Sequence, residues 1–205
     1  MLSKRLLTVA TLVKPNAKVL DVGTDHAYLP IYLREMNICK KVIASDISQG
    51  ALAIAKKNIE KFQTTDIKLV LSDGLDKIKD DYDTLIICGM GTKTIIHILE
   101  GKKLPDQIIL SSNNNLYELR IYMNSIGYKI DQEVVVFDKG KYYDIISYQK
   151  GKEYLSKTKL LYGKSKDKKY LSYLYEKEKG IYQKLKLKQR IKLLPKLIKL
   201  KILSI

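Results

Sequence analysis

Three carboxylates stand at comparable places in the chain, each near the end of a short apolar run. They are Asp21 in Val19-Leu20-Asp21-Val22-Gly23, Asp46 in Ala44-Ser45-Asp46-Ile47-Ser48, and Asp73 in Leu71-Ser72-Asp73-Gly74-Leu75. A carboxylate at a strand end can accept hydrogen bonds from ribose hydroxyls or an adenine amino group, or pair with an ammonium. Any one of them could equally be a helix cap, and Ser48 and Asp73 also read that way. Three in register at successive strand ends read instead as a nucleoside-binding edge. Gly23 permits the tight turn and close backbone approach that such a ligand needs. The full Gly-x-Gly-x-x-Gly pattern is absent, and Asp25 would repel a pyrophosphate at the following helix N-terminus. That argues against NAD, FAD and ATP. A cationic sulfonium with an amino-acid tail fits better: Asp21 receives the ammonium, Asp46 the ribose hydroxyls and Asp73 the adenine amino group.

A fourth segment, Cys88-Gly89-Met90-Gly91-Thr92, follows another apolar run. Methyltransferases acting on exocyclic amino groups carry an Asn or Asp, then Pro-Pro and an aromatic, at this place; this chain does not. Its two glycines suit close backbone approach to a methionine moiety or to a target base. His26 reads either as a group near the sulfonium or base, or as a hydrogen-bonded structural residue. Tyr28 reads as packing under the loop, with stacking on a base as the alternative. His97, on an apolar helix face, reads as a core residue. Cys39 and Cys88 have no spacing that suggests a disulfide or a metal and read as buried free thiols; no His/Cys cluster suggests a metal site.

These residues must be positioned by a strand and helix alternation. Apolar runs at Lys18–Val22, Val42–Asp46, Ile67–Ser72, Thr84–Cys88 and Ile108–Ser111 predict strands covered on both faces. Helical spacing predicts helices near Tyr28–Met36, Gln49–Lys61, Thr92–Leu99 and Leu116–Ile126, after a first one within residues 1–14. Such alternation implies right-handed βαβ units and a parallel sheet. Tyr128–Phe137 and Tyr142–Tyr148, joined by Asp138-Lys139-Gly140-Lys141, predict an antiparallel hairpin. A parallel α/β sheet closed by a hairpin is the plan of class I methyltransferases: a Rossmann-like, mixed, seven-stranded sheet.

Charge divides the chain. Residues 1–150 hold 21 Lys and Arg against 18 Asp and Glu, whereas residues 151–205 hold 17 against 4. Codon bias towards Lys would raise the count everywhere, so the basic tail reads as a polyanion-binding appendage on a near-neutral domain. The predicted domains are 1–150 and 151–205. Within the tail, spacing predicts a helix over Lys166–Lys188, with Pro195 opening a second, Lys196–Leu203, or kinking the chain. A membrane-surface helix is the rival reading. The tail tyrosines (154, 162, 170, 173, 175 and 182) read as hairpin core before they read as RNA-stacking groups. Hydrophobic residues make up 45% of the chain, enough for a packed core. No run reaches a membrane span and the N-terminus does not read as a secretory signal, so a soluble cytoplasmic protein is expected.

The phrases D-V-G-T-D-H-A-Y-L-P, S-D-G-L-D, C-G-M-G-T-K-T-I-I-H-I-L-E and G-K-Y-Y-D-I-I-S, with the opening S-K-R-L-L-T-V-A, resemble the bacterial tRNA N1-adenine methyltransferases that modify adenine 22 (the TrmK family). The resemblance is strong over residues 3–150 and looser over the tail. It implies a class I domain followed by a C-terminal helical hairpin, S-adenosyl-L-methionine (SAM) as cofactor with S-adenosyl-L-homocysteine as product, and tRNA as partner. It also implies a cofactor site lined by Asp21, Gly23, Asp25, His26, Asp46, Asp73, Gly74, Gly89, Met90 and Gly91. Asn113 and Arg120 match the family. The chain departs from it at Thr92, where a second glycine is usual, at Ser111-Ser112, where Gln-Pro is usual, and at Asp46, often Glu.

The expected activity is methyl transfer from SAM to N1 of an adenine in tRNA, at position 22 in the D-arm, by a monomer. Asp25, His26 and Asn113 are the candidate catalytic residues: Asp25 to stabilise charge developing on the base, Asn113 or His26 to hold its edge. The rivals are methylation of another RNA or a small molecule, and an RNA-binding module that keeps the pocket without catalysis.

Overall fold

The computed structural model describes residues 2–205 as two compact units, one ending at Leu161 and the other spanning Tyr162–Ile205. The first opens with α1 (Lys4–Leu12), whose N-cap Ser3 accepts from the Leu6 N–H. There follow β1 (Ala17–Val22), α2 (Tyr28–Glu35), β2 (Cys39–Asp46), α3 (Gln49–Phe62), β3 (Ile67–Leu71), β4 (Thr84–Met90), α4 (Thr92–Leu99), β5 (Gln107–Ser112) and α5 (Leu116–Ser125). The unit closes with β6 (Tyr128–Asp138), β7 (Lys141–Lys150) and the start of α6 (Lys157–Tyr162).

The seven strands form one sheet in the order β3-β2-β1-β4-β5-β7-β6. Pairs from β3 through β5 are parallel; β7 runs antiparallel to both β5 and β6. The unbroken apolar runs have a plain physical reason. Side chains alternate between the two faces of a strand, and helices cover both faces. Leu85 and Ile87 of β4 pack with Ile95 of α4 and Leu119 of α5, while Ile86 between them packs with Val9 of α1 and Leu33 of α2 on the other side. Each such side chain, fully buried, contributes roughly 1.5–3 kcal/mol.

Arg120 is also fully buried, where α5 meets the hairpin. It pairs with Glu133 of β6 and, at 3.6 Å, with Asp144 of β7, and its guanidinium donates to the Leu160 carbonyl at 3.0 Å. Together with Glu153, whose carboxylate accepts from the Ile130 N–H at 2.5 Å, this bond draws residues 151–161 into the first unit, beyond the predicted boundary at 150.

The second unit is a helical hairpin of α7 (Lys168–Lys184) and α8 (Leu187–Ser204), with the turn at Leu185-Lys186. Tyr170, Leu171, Leu197 and Leu200 are buried in it, and Lys196 pairs with Glu178 at 2.5 Å. Pro195 neither opens nor ends a helix: α8 runs through it and starts nine residues before the expected Lys196. The missing proline N–H deprives only the Ile191 carbonyl of a partner, and Ile191 is 64% exposed, so water can take its place. Tyr162 is likewise core, its hydroxyl donating to the Lys196 carbonyl at 3.1 Å. Tyr175 and Tyr182 are half-buried, with Lys179 and Arg190 over their rings. Among the described residues no helix is long and apolar enough to cross a membrane.

Candidate functional site

Every residue singled out for chemistry lies at the carboxyl end of a strand, where ligands of open α/β sheets bind. Asp21 is the fifth residue of β1, and Gly23 begins the turn that follows it. Gly23 has a φ of 75°, so the turn favours glycine, and a Cβ there would come 2.4 Å from Cε of Met90 and push that side-chain end aside. Asp25 and Ala27 are also left-handed, with φ of 53° and 57°, and α2 starts at Tyr28 without a side-chain cap. The loop between β1 and α2 is therefore a strained coil that must be held from outside.

Its start is held by the Gly23 and Thr24 N–H groups, which both donate to the Ser45 carbonyl, and its far part by two side chains. The Asp25 N–H donates to Oδ2 of Asp46 at 3.1 Å, and Nδ2 of Asn58 donates to the His26 carbonyl at 2.9 Å. Asp46, the last residue of β2, accepts with its other oxygen from the Ser48 N–H at 2.9 Å. Ser48 is the N-cap of α3, accepting from Ala51 at 3.2 Å. Asp73 is different. Its carboxylate is exposed and makes no hydrogen bond or ion pair among the described residues, so it is not a cap. The segment that carries it is tied to Asp46 by the Ser72 N–H donating to the Asp46 carbonyl at 3.0 Å. Gly74 follows with a φ of 50°, its carbonyl accepting from the Ser72 hydroxyl.

On the other side of β1, Gly89 and Met90 end β4 and Gly91 is the N-cap of α4. Asn113, just after β5, joins them: its backbone N–H donates to the Met90 carbonyl at 2.9 Å and its Nδ2 to the Gly89 carbonyl at 2.5 Å. Asn113 is thus clipped to the glycine segment, its side-chain oxygen accepting no hydrogen bond among the described residues. Thr92 is buried beside it, and its hydroxyl meets the Ser112 hydroxyl at 2.8 Å and the Asn114 carbonyl at 2.7 Å.

Asp21, Gly23, Asp25, His26 and Tyr28 line one cavity of about 100 Å³, together with Cys88 and the N-terminal helix residue Arg5. Asp21 is 6% exposed, and burial, with the Asp46 carboxylate adding to it, pushes its pKa up to about 6. A buried carboxylate held that high is one that lacks a cation. His26 has Nε2 3.4 Å from the Asp25 carboxylate, while its buried Nδ1 has no partner. The Tyr28 ring, 48% exposed, lies 5.7 Å from the imidazole instead of packing beneath the loop. Burial pushes the Cys88 thiol up to about 12, which leaves it no thiolate chemistry at neutral pH. Both cysteines are free; Cys39 is buried and its thiol is pushed up to about 11. His97 is a correction: it is exposed, because Ile95, Ile98 and Leu99 of α4 take the core and residue 97 turns outward. Among the described residues no three His, Cys, Asp or Glu side chains are grouped to hold a metal ion.

Arg5 is the residue that reading the motifs for chemistry missed. Its guanidinium lies over the Tyr143 ring at 5.0 Å, and Nη1 is 3.4 Å from where a Cβ on Gly89 would sit. The only signal was its place in the S-K-R-L-L opening.

Known proteins resemble this chain in both sequence and fold. Residues 2–146 match a family described as a methyltransferase domain. The chain is 35% identical over 156 residues to the tRNA (adenine(22)-N(1))-methyltransferase of Bacillus subtilis, the match spanning 73% of this chain and 66% of that relative. Among solved structures, M. capricolum TrmK in complex with its natural cofactor product S-adenosyl-homocysteine is 33% identical, with a TM-score of 0.88 over 98% of this chain and 96% of that one. The B. subtilis m1A22 tRNA methyltransferase TrmK is 28% identical, with a TM-score of 0.84 over 100% and 99%. Fold and sequence agree: this chain belongs to the TrmK family of SAM-dependent tRNA (adenine(22)-N(1))-methyltransferases.

Proposed function

We propose that this enzyme transfers a methyl group from SAM to N1 of adenine 22 in the D-arm of tRNA, and that it works as a cytoplasmic monomer. The observation that carries the reading is the set of carboxylates at the ends of three adjacent parallel strands, with Asp21 buried and raised to about 6. That residue fits a ligand with an ammonium group. In this reading Asp46 and Asp73 take the ribose and the adenine amino group, and Gly23, Asp25, His26, Gly74, Gly89, Met90 and Gly91 shape the rest of the cofactor site.

When bound, SAM supplies an electrophilic methyl group on a sulfonium. The residues of the chain have little proton chemistry to do, because adenine N1 offers an in-plane lone pair and needs no base. Positioning and electrostatics supply the rate. Asn113, with its amide nitrogen committed to the Gly89 carbonyl, offers its oxygen to the base edge. Methylation leaves the adenine cationic, and Asp25, 69% exposed at its side chain beside His26, is set to stabilise that charge. N1 is on the Watson–Crick edge, so the base must be unpaired or swung out to reach the site. Phosphate contacts dominate nucleic-acid affinity, which assigns tRNA holding to the basic hairpin.

The test is nucleoside mass spectrometry of tRNA after incubation with enzyme and SAM. N1-methyladenosine is expected, at one adenine that stops reverse transcription and rearranges to the N6 isomer in mild alkali. Methyl found directly on N6, on a guanine or on protein would overturn the assignment.

A further inference from the structure

The helical hairpin leaves one apolar face uncovered. In α8, Leu197 and Leu200 turn to the buried side of the hairpin. Leu187, Ile191, Leu194, Ile198 and Ile202 recur every three or four residues on a different side, so they form a second stripe along the helix. These five are 40% to 74% exposed. At ~3.6 residues per turn, Lys188, Lys192 and Lys199 border the stripe on one flank and Lys201 on the other. None of these four lysines forms an ion pair among the described residues; Lys196, which pairs with Glu178, lies on the side opposite the stripe.

We propose that this face of α8 docks on an anionic lipid surface, the helix lying in the plane of the interface without crossing it. The aliphatic stripe enters the boundary between head groups and acyl chains. The flanking lysines run their stems along it and keep their ammoniums among the lipid phosphates. A second copy of the chain is a poorer occupant. α8 holds six Lys and Arg and no Asp or Glu, so two such faces meet with like charges and no ion pair between them. The acids of the hairpin, Asp167, Glu176 and Glu178, all lie on or beside α7, which leaves α8 a face of one sign. tRNA is a poorer occupant of the stripe too, since aliphatic side chains offer neither donors to phosphates nor rings to stack on bases.

The test is flotation of the full chain with vesicles of phosphatidylglycerol and phosphatidylcholine in equal parts, and with vesicles of phosphatidylcholine alone. Binding to the anionic vesicles should be tighter by roughly tenfold or more. Ile191→Gln combined with Ile198→Gln keeps every charge and changes only exposed positions. It should weaken vesicle binding at least roughly tenfold and leave tRNA affinity within about twofold. No vesicle binding by the unaltered chain would overturn the proposal. So would binding that the double change leaves untouched, which is lysine adhesion without insertion. A parallel loss of tRNA affinity would give the stripe to tRNA instead. A lipid-free dimer of the unaltered chain that the double change dissolves would give it to a second copy. Should the double variant not fold, Ile198→Trp is the second probe, because the chain has no other tryptophan. Its emission should shift to the blue on anionic vesicles and be quenched by brominated acyl chains; unshifted emission would place the stripe outside the bilayer and overturn the proposal.

Discussion

The hydroxyls of Thr92 and Ser112 meet at 2.8 Å, one at the start of α4 and the other at the end of β5. A glycine at 92 and a proline at 112 would leave neither hydroxyl; here each partners the other, and both reach the Asn114 carbonyl. The pair ties the start of α4 to the loop that carries Asn113.

Thr92→Val keeps the shape and removes the hydroxyl, so that Ser112 loses its partner and the Asn114 carbonyl keeps only the Ser112 hydroxyl as a side-chain donor. A destabilisation of about 1–3 kcal/mol is expected in denaturant melts. Combined with Ser112→Ala, the total should fall short of the sum of the single changes, because both delete the same bond. Additive losses would mean that the contact carries no energy of its own.

Asp21 gives a pH signature. Its pKa is raised in the folded protein, from 3.8 to about 6, so burial favours the protonated form. The stability this contributes is present below about pH 4 and is lost as pH rises through 6. Above that the ionised carboxylate costs about 3 kcal/mol in the ligand-free protein. Asp21→Asn should therefore raise the melting temperature at pH 8, with the difference shrinking towards pH 4, while cofactor binding falls. A variant equally stable or weaker at pH 8 contradicts the cost assigned to Asp21.

Asp46→Ala should weaken SAM binding by roughly 1–3 kcal/mol through lost charge-assisted bonds to the ribose. It should also loosen residues 23–27, since Oδ2 of Asp46 is what the Asp25 N–H donates to. Calorimetry together with hydrogen exchange on that loop checks both effects. Unchanged affinity removes Asp46 from the site.

Cutting the chain after Leu161, rather than at residue 150, keeps the bonds of Glu153 and Leu160 to the first unit. The shortened protein should stay folded, bind SAM as before and lose most tRNA affinity. Its binding should also depend less steeply on salt, because fewer phosphates are neutralised. Equal salt slopes for the two forms would assign the hairpin another role.

Much of this was legible in the sequence, for a reason visible in β1, β2 and β4. A parallel strand covered on both faces is an unbroken apolar run, so its end, and with it Asp21, Asp46 or Gly89, can be read directly. What escaped was whatever depends on distant contacts. Arg5 reaches the site because α1 docks on the hairpin, its backbone bonding to Asp138, 133 residues away. The six residues of α6 are too few to show a period. His97 turned outward because an eight-residue helix buries only part of its circumference. Pro195 read as a boundary because proline's penalty was judged without knowing that Ile191, whose carbonyl it leaves without a helical partner, is an exposed residue.

The strand that arrives last in the chain is not at the rim of the sheet. β7 lies between β5 and β6, and until it is made β5 presents an open edge. On the ribosome, the parallel half can assemble while a row of unpaired backbone groups waits for residues 141–150. Translation speed across the β6–β7 hairpin thus sets how long a nascent chain carries an adhesive margin. Chains stopped at Lys139 should sediment as aggregates where chains continued to Leu161 stay dispersed, and equal dispersal would show that β5 needs no cover.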